Sequence, residues 1–354
     1  MMNTPTAPLL SRQWNLHRRP LGRTIADDLI CTTVPVAQLA QDEILIRVKL
    51  LCMDPTIRNF MDEDPGYGLP IPLGGVVRGM IIGEVMSSKA EQVVPGTMVW
   101  GFGSWSDYVV GPARQFFALP TPLAYDLPVY AHAMGTIGLT AYYGMFDIAA
   151  LRAGDQVLVS GAAGAVGSLA GQFARLGGAG KVVGIAGGAE KCLRAVRDYG
   201  YDLCIDYKQL DSLSSSLKAA FPNGIDVIFE NVGGAQLSLA LQYLNKHARV
   251  ALCGMIDGYG NHDRQPSKDA LWNLVIKSAR LEGFLVSNIL NHKHRTDAML
   301  AQIHQWITSG SLRYDLDVRF GFACIPRTFD CLFSGQHRGR LVVQLDDALP
   351  SCQL

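Results

Sequence analysis

The chain has 354 residues, of which 49% are hydrophobic and 18% charged, and its 31 Lys and Arg residues balance 31 Asp and Glu residues. This length accommodates two domains, and the apolar content excludes a largely disordered chain. Because the chain has no cationic excess, the sequence predicts neither a nucleic-acid partner nor attachment to an anionic membrane surface.

The cysteines and the amino terminus bear on the cellular compartment. Eight cysteines are scattered without a Cys-x-x-Cys pair, most of them inside apolar runs such as "VALCGM". We expect buried, reduced thiols rather than a disulfide framework or a cysteine-built zinc site. The opening stretch "MMNTPTAPLLSRQW" lacks the charged and apolar regions of a signal peptide. No apolar run reaches the roughly 18 residues that suggest a membrane-spanning helix, so we expect a cytoplasmic protein.

Residues 1–128 have the pattern of short β-strands. The stretches 42–53, 76–86 and 97–111 combine alternating or β-branched residues with Gly and Pro punctuation. Short strands separated by such turns predict a compact barrel or sandwich. From residue 129 to residue 151 apolar residues recur at helical intervals, which predicts one or two helices.

From residue 155 onwards, strands alternate with helices. The predicted strands are 156–161, 181–187, 203–207, 225–232, 248–255 and 279–286, with a helical segment between each and the next. This pattern predicts a doubly wound parallel sheet. A last helix is predicted over 296–310, and the strand-like tail "RLVVQLDD" is expected to rejoin the first domain. We therefore predict an α/β protein with one domain of residues 1–128 plus 311–354 and a second of residues 129–310.

A glycine-rich loop, "GAAGAVG", follows the first strand of this alternation. Its glycines are spaced Gly161-x-x-Gly164-x-x-Gly167, and a helix is predicted from residue 168. Such a loop is either a bare structural turn or a cradle in which backbone N–H groups and the positive end of a helix bind a pyrophosphate. Its place at the first strand–helix junction favours the cradle.

The end of the next strand distinguishes between nucleotides. A site for NAD usually carries Asp or Glu about 20 residues after the glycines, where the acid binds the ribose hydroxyls. Here residues 186–188 read Ala-Gly-Gly, Lys191 follows one helical turn later, and Tyr207 closes the third strand. The missing acid and the cation predict a 2′-phosphate and therefore NADPH. Glu190, beside the lysine, is expected at the surface of the first helical turn.

With these features in place, the sequence resembles a known family. The segments "SRQWNLHRRP", "DPTIRNFM", "MGTIGLTAYYGMF", "SGAAGAVGS", "ENVGG", "CGMIDGY" and "EGFLV" occur in the order typical of the zinc-independent, NADPH-dependent alkenal/one reductases. This branch of the medium-chain dehydrogenase/reductase superfamily includes prostaglandin reductases, plant double-bond reductases and bacterial curcumin reductase. The resemblance covers essentially the whole chain. It implies a GroES-like β-barrel catalytic domain, a Rossmann-type domain that binds NADPH, a small-molecule substrate and a homodimer.

The resemblance also implies which residues bind the cofactor. The pyrophosphate would lie against Gly164, Ala165, Val166 and Gly167. The 2′-phosphate end would lie against Lys191 and Tyr207. The nicotinamide half would be lined by Asn231, Cys253, Gly254, Met255, Phe284, Leu285 and Val286. Tyr259 matches a family tyrosine placed near the nicotinamide ribose and the substrate carbonyl.

The residue types exclude one alternative, a zinc-dependent enzyme of the same superfamily. Its zinc branch supplies a cysteine, a Gly-His-Glu segment and a four-cysteine lobe, because zinc prefers tetrahedral nitrogen and sulfur ligands. The corresponding segment here, "PLGGVVRGMIIGEV", contains no histidine. His292 and His294 are interpreted as part of a solvated loop, so no metal site is predicted.

A reductase without zinc needs another group to stabilise the charge that hydride addition places on the substrate's carbonyl oxygen. A tyrosine hydroxyl, with a pKa of about 10, is a suitable hydrogen-bond donor and proton relay. Tyr259 lies just past the fifth predicted strand, and the carboxyl ends of such strands line the cofactor crevice. We predict that Tyr259 is catalytic; the alternative is a loop tyrosine that caps the sheet.

The chain departs from the family pattern at two positions. Thr56 stands in "DPTIRNFM" where the family usually has a pocket-lining tyrosine, whereas Arg58 is retained. Since threonine cannot stack on a flat enone, the pocket is expected to be wider, more polar, or filled by Tyr67 or Trp105. His337 stands where the family typically has an asparagine close to the cofactor, and it is expected to donate a similar hydrogen bond.

These observations together predict an oxidoreductase that transfers hydride from NADPH to the β-carbon of an α,β-unsaturated carbonyl compound. A quinone or enoyl-thioester reductase on the same scaffold is the first alternative. A protein that binds NADPH without catalysing a reaction is the second, and the retained Tyr259 speaks against it.

Overall fold

The computed structural model describes residues 8–66, 68–259 and 268–345. The chain divides into two compact units. The first unit takes the chain up to Pro128, Asp317–His337 and the chain from Leu341 onwards, and the second takes Val129–Leu316 and Arg338–Arg340. No helix in the described residues is long and apolar enough to cross a membrane.

The strands and helices are numbered in chain order. The strands are β1 (Leu10–Leu16), β2 (Leu29–Pro35), β3 (Glu43–Cys52), β4 (Arg78–Ser88), β5 (Met98–Ser104), β6 (Tyr108–Pro112), β7 (Phe116–Ala118), β8 (Gln156–Ser160), β9 (Lys181–Ala186), β10 (Leu203–Asp206), β11 (Ile225–Glu230), β12 (Leu244–Leu252), β13 (Arg280–Gly283), β14 (Leu316–Phe320) and β15 (Arg340–Gln344). The α-helices are α1 (Ile57–Phe60), α2 (Leu127–Tyr130), α3 (Thr136–Tyr142), α4 (Ala165–Leu176), α5 (Ala189–Tyr199), α6 (Leu210–Ala220), α7 (Gly234–Ala240), α8 (Lys268–Ile276), α9 (Ser287–Leu290), α10 (Lys293–Thr308) and α11 (Ile325–Ser334).

The first unit contains two sheets within its described residues. β1 and β2 form an antiparallel pair, and the second sheet has the order β14-β15-β3-β4-β5-β7, with β6 paired to β3. Along β3, Ile44, Ile46 and Val48 alternate with half-buried residues and are almost inaccessible to water. They pack with Trp105 into the core of the unit. The alternation that predicts this strand therefore also defines its buried face.

The second unit is built on a parallel sheet of order β10-β9-β8-β11-β12-β13. The chain runs outward from β8 to β10, then starts again at β11 and runs outward in the opposite direction. This reversal defines a doubly wound sheet whose switch point lies between β8 and β11. Val157, Val159, Val227 and Phe229 are fully buried, as expected for strands covered on both faces. The predicted α/β fold with a doubly wound parallel sheet is confirmed.

Residues 311–316, expected in the first domain, lie in the second unit instead. Leu312 packs into the core of that unit. The side chain of Gln172 also binds both backbone groups of Arg313, each at 2.8 Å. These contacts join positions about 140 residues apart along the chain, so no local pattern indicates them.

Candidate active site

The switch point of the parallel sheet defines the candidate site in the second unit. Ser160 ends β8 and Glu230 ends β11, and the loops that follow leave the sheet at the same edge. In open α/β sheets the ligand crevice lies outside the carboxyl ends of the strands at such a point. The candidate site is therefore formed by these two loops together with the loops after β9, β10 and β12.

The loop after β8 is kept bare by its glycines. Gly161 has a φ of 62°, in the left-handed region that favours glycine. A Cβ at Gly167 would lie 2.2 Å from the carbonyl oxygen of Gly161, so no side chain fits there. Helix α4 begins directly after Gly164, and the first-turn N–H groups of a helix have no partner inside it. Backbone donors and the positive helix end thus meet where Gly164, Ala165, Val166 and Gly167 are predicted to bind a pyrophosphate.

His132 contacts the first turn of α4. Its Nε2 donates to the carbonyl oxygen of Ala165 at 3.1 Å, and the side chain is fully buried. Burial, together with the positive charge of Arg340, lowers the pKa of His132 to about 3. The imidazole is therefore neutral at physiological pH. The sequence analysis did not identify His132, because nothing local to residue 132 indicates its contact with residue 165.

The loops after β9 and β10 meet at the predicted adenosine end. A Cβ at Gly187 would lie 2.8 Å from the ring of Tyr207, so the missing side chain makes room for that ring. Gly188 has a φ of 96°, and its N–H donates to Oδ1 of Asp206 at 2.7 Å. The structure therefore brings Tyr207 to the end of β9, as the prediction for the 2′-phosphate end requires.

Three cations surround this loop, of which the sequence analysis identified one. Lys191 is half-buried, and burial together with the nearby Arg194 and Lys208 lowers its pKa. Nη1 of Arg194 is buried without a hydrogen-bond partner among the described residues, while Nη2 binds the exposed Glu190 at 3.0 Å. Lys208 Nζ lies 4.0 Å from the position that a Cβ of Gly188 would take. Clustered cations with an unused donor suit a highly charged anion such as a 2′-phosphate. Lys191 and Arg194 are three residues apart on one predicted helix. This spacing places both side chains on the same face, so the sequence also indicated Arg194.

Glu230 organises the loop after β11. Its Oε1 accepts hydrogen bonds from the Ser160 hydroxyl at 2.7 Å and from the N–H groups of Val232 and Gly233 at 2.6 and 2.7 Å. Burial raises the pKa of Glu230, and these hydrogen bonds oppose that rise. Asn231 donates through its N–H to the Ser160 hydroxyl at 2.8 Å and through Nδ2 to the Ser160 carbonyl at 2.7 Å. Asn231, predicted to line the nicotinamide half, is thus held against the end of β8.

The loop after β12 carries the predicted catalytic tyrosine. The N–H groups of Cys253 and Gly254 donate to the Glu230 carbonyl at 2.9 and 3.1 Å, and the Tyr259 N–H donates to Ile256 at 3.2 Å. A Cβ at Gly254 would lie 3.6 Å from the Tyr259 hydroxyl. The phenol oxygen is therefore close to the backbone that is predicted to line the nicotinamide.

Cys253 and Met255 have different environments in this loop. Burial raises the pKa of the Cys253 thiol to about 12, so it remains protonated at neutral pH. Met255 is 45% exposed and lies against Gly233, where a Cβ would be 3.0 Å from the Met255 Cβ. The side chain of Met255 is thus available to a ligand, whereas Cys253 and Gly254 offer their backbone.

The segment 284–286 follows β13 at the same edge. The ring of Phe284 is buried and packs edge-on against Phe229 and Tyr143, with centroids 6.2 and 5.5 Å apart. It belongs to the core, so only the backbone of Phe284 is left for a ligand. Leu285 is 53% exposed, and Val286 is half-buried against Ile289. Their predicted contacts with the nicotinamide half stay predictions.

The residues predicted for the substrate pocket lie in the first unit. Thr56 is half-buried and directly precedes α1. Arg58 is only 2% exposed, and its guanidinium donates to the carbonyls of Gly22 and Pro20 and to Asp62. Arg58 therefore stabilises the loop that contains Pro20 and Gly22. Its contact with a substrate stays a prediction.

Three further residues were predicted near the substrate or the cofactor: Tyr67, Trp105 and His337. Tyr67 lies outside the described residues. Trp105 is fully buried and packs edge-on against Phe329 with centroids 5.5 Å apart, so its indole forms part of the core rather than the wall of an open pocket. Nδ1 of His337 lies 3.0 Å from the carbonyl oxygen of Cys331, to which it donates. Its contact with the cofactor stays a prediction.

Across residues 8–66, 68–259 and 268–345, no group of three or more His, Cys, Asp and Glu side chains is arranged to hold a metal ion. His292 precedes α10, and His294 lies on that helix instead of in the expected loop. Both histidines are exposed.

Both parts of the chain match known protein families. Residues 12–119 match the family described as the N-terminal domain of oxidoreductase, and residues 165–305 match the family described as zinc-binding dehydrogenase.

Individual proteins match over nearly the full length. The chain is 32% identical to the NADPH-dependent curcumin reductase of Escherichia coli strain K12, over 95% of this chain and 97% of that protein. It is 34% identical to the NADP(+)-dependent 2-alkenal reductase of Nicotiana tabacum, over 86% of this chain and 88% of that protein. Among solved structures, CurA from Vibrio vulnificus in complex with NADPH superposes with a TM-score of 0.88 at 32% identity, covering 95% of this chain and 99% of that one.

Proposed function

The chain belongs to the zinc-independent, NADPH-dependent alkenal/one reductases of the medium-chain dehydrogenase/reductase superfamily, and on that premise we propose which reaction it catalyses. It reduces the carbon–carbon double bond of α,β-unsaturated carbonyl compounds, with hydride transfer to the β-carbon. The observation that carries this proposal is the pairing of a bare glycine loop at the start of α4 with the cation Lys191 beside the loop after β9.

NADPH, when bound, supplies the hydride. The residues present fit this cofactor, because Gly161, Gly164 and Gly167 place no side chains around the start of α4 and Lys191 is half-buried beside the loop after β9. The first turn of α4 would hold the pyrophosphate, and Lys191 would neutralise the 2′-phosphate. The hydrogen bond from Ser160 to Glu230 holds the loop after β11 against the end of β8.

Tyr259 is proposed as the donor to the substrate's carbonyl oxygen. Addition at the β-carbon moves negative charge onto that oxygen, and a fixed O–H group stabilises the charge without reorganising. The closeness of the hydroxyl to Gly254 supports this role. The loop is anchored to the Glu230 carbonyl, which limits movement of the phenol relative to β11. We propose that the same hydroxyl passes a proton to the reduced product.

Replacement of Tyr259 tests the mechanism. Tyr259→Phe is expected to lose about 2–4 kcal/mol of transition-state stabilisation, which lowers kcat by roughly 30- to 1,000-fold. Binding of NADPH should be largely retained. The assay is steady-state oxidation of NADPH with an enone, together with fluorescence titration of NADPH. Tyr243→Phe is the matched control, because it removes a tyrosine hydroxyl that contacts Ser214, outside the loops that form the site. An unchanged kcat/KM in Tyr259→Phe would remove this residue from the mechanism.

The class of acceptor needs its own measurement. Single-turnover oxidation of NADPH by enals, enones, quinones and enoyl thioesters separates an alkenal reductase from quinone and enoyl-thioester reductases. Fastest turnover with enals or enones supports the proposal. Binding of NADPH without reduction of any acceptor would instead indicate a protein that only binds the nucleotide.

We propose that the two units have different functions. The glycine loop and Lys191 lie in the second unit, which supports its assignment as the NADPH-binding domain. The first unit, with Thr56 and Arg58, is then proposed as the catalytic and substrate domain. Since NADPH is an intracellular reductant, we also propose a cytoplasmic location, which cell fractionation tests.

A homodimer is proposed for the second unit. Strand β13 lies at the edge of the parallel sheet, and the nearby helix α8 exposes apolar side chains. Leu271, Trp272, Val275 and Ile276 are each between 45% and 62% exposed. A contiguous apolar face of this kind typically marks a protein interface. Trp272→Glu should shift sedimentation from dimer to monomer, whereas Leu21→Glu, which alters an exposed leucine of the first unit, should not. A wild-type monomer would contradict the proposal.

A further inference from the structure

Two cysteines from separate elements meet beneath the predicted adenosine end of the site. Cys192 lies in the first turn of α5, and Cys204 lies on β10. Both pack in one small apolar cluster with Ala163, from the glycine loop, and Ala186, which ends β9. The Cys192 thiol donates to the Ala186 carbonyl at 3.9 Å, and the Cys204 side chain packs against the same cluster, where the two thiols influence each other's pKa.

The two thiols are not equivalent. The neighbouring Cys204 lowers the pKa of Cys192, whereas Cys192 together with burial raises the pKa of Cys204. The position of Cys192 near the amino end of α5 favours its thiolate in the same direction. The carboxylate of Asp206 opposes ionisation of both. Cys192 is therefore the thiol that ionises more readily of the two.

The cysteines are connected to the loop that carries the predicted 2′-phosphate contacts. The Cys192 N–H donates to the Gly188 carbonyl at 3.1 Å, and the Gly188 N–H donates to Asp206 at 2.7 Å. Cys204 lies two residues before Asp206 on β10. Lys191 precedes Cys192 on α5. Movement of α5 against β10 would therefore displace Lys191 and Gly188 together.

We propose that Cys192 and Cys204 form a redox-active dithiol whose oxidation by hydrogen peroxide closes a disulfide and weakens NADPH binding. The effect on binding rests on the proposed placement of the 2′-phosphate beside Lys191. Because Cys192 is only 9% exposed, a small oxidant suits the site better than a bulky disulfide does.

The oxidation proceeds in two balanced steps. The Cys192 thiolate attacks one oxygen of hydrogen peroxide, breaks the O–O bond and becomes a sulfenic acid, while hydroxide leaves and takes up the proton that Cys192 had released. The Cys204 sulfur then attacks the sulfenic sulfur and forms the S–S bond. The Cys204 proton leaves with the displaced hydroxyl as water. Overall, two thiols and one peroxide give one disulfide and two waters.

The disulfide changes the geometry of the loop because it shortens the distance between the sulfurs. Bonded sulfurs lie about 2.05 Å apart, far closer than two sulfurs that are not bonded to each other. The first turn of α5 must then approach β10. Lys191 and Gly188 move with it, out of the arrangement that suits a phosphate.

The test uses the full-length protein treated with hydrogen peroxide and then with catalase. Peptide mapping without reductant should show the 192–204 linkage, and fluorescence titration should show at least tenfold weaker binding of NADPH. Dithiothreitol should restore binding, which separates this effect from oxidation of Met255, because dithiothreitol does not readily reduce a sulfoxide.

Two variants and a control complete the test. Cys192→Ser and Cys204→Ser should keep their NADPH affinity after peroxide treatment, whereas Cys31→Ser, which removes an exposed cysteine elsewhere, should lose affinity as the wild type does. If either serine variant fails to fold, mapping and titration of the wild type still decide. Absence of the 192–204 linkage would overturn the proposal. Formation of the linkage with unchanged affinity would refute its effect on binding. Enone reduction by the untreated enzyme tests the proposed reaction separately.

Discussion

His132 makes the second unit sensitive to acid. The side chain is fully buried, and its Nε2 donates to the Ala165 carbonyl in the first turn of α4. Nδ1 is buried without a hydrogen-bond partner among the described residues. A second proton on the ring would therefore introduce a buried charge, near the positive charge of Arg340. These features lower the pKa of His132 to about 3.

The free energy of unfolding changes with pH because the two states bind protons differently. In the unfolded chain the pKa of His132 returns to about 6.5, so below that pH the unfolded state gains a proton that the folded state does not. The stability contributed by neutral His132 is present above pH 6.5 and is lost as the pH falls toward 3. The loss approaches about 1.4 kcal/mol per pH unit, which amounts to about 2 kcal/mol at pH 5.

Urea unfolding of wild type and His132→Gln at pH 7.5, 6 and 5 measures this effect. A glutamine Nε2 can donate to the same carbonyl but does not titrate in this range. The stability of the wild type should fall by about 2 kcal/mol more than that of His132→Gln between pH 7.5 and pH 5. His292→Gln, which alters an exposed histidine, is the control and should follow the wild type. Equal pH dependence of wild type and His132→Gln would refute the reasoning.

Two further predictions concern the cofactor crevice. Lys191→Ala should weaken binding of NADPH about tenfold or more and leave binding of NADH unchanged, because only NADPH carries the 2′-phosphate. Calorimetric titration with both nucleotides measures this, and Lys218→Ala, which alters an exposed lysine, is the control. Equal losses of affinity for the two nucleotides would place the phosphate elsewhere. Glu230→Ala removes the acceptor of the Ser160 hydroxyl and of the Val232 and Gly233 N–H groups and should cost at least about 3 kcal/mol in urea unfolding, whereas Glu230→Gln retains an acceptor oxygen and should cost less. Equal stability of Glu230→Ala and wild type would show that these donors find other partners.

Much of the fold followed from local patterns. The alternation of buried and half-buried residues along β3 and the buried run of β8 each depend on a few consecutive side chains. The glycines at 161 and 167 are also required by a local contact, since a side chain at Gly167 would collide with the backbone of Gly161. Residues 311–316 were assigned to the wrong unit because their attachment depends on Gln172, far away along the chain.

The residues of the candidate site likewise fall into those that local sequence indicates and those that only tertiary contacts reveal. The missing acid at 186–188 and the neighbouring Lys191 pointed to NADPH, because nucleotide choice depends on residue types at one strand end. The ring of Phe284 could not be excluded from the crevice without knowing that Phe229 and Tyr143 surround it. Nothing local to Cys192 or Cys204 indicates that their side chains pack in one cluster.

The sequence by itself determined the parallel sheet, the position of the glycine loop and the type of nucleotide, because each is encoded by residues within about one or two turns or strands. Only the tertiary structure decided that Glu230 ties β8 to the loop after β11, that His132 contacts the start of α4, and that Arg194 and Lys208 join Lys191. The physical reason is that these contacts join residues distant along the chain, and folding alone sets their separation and burial.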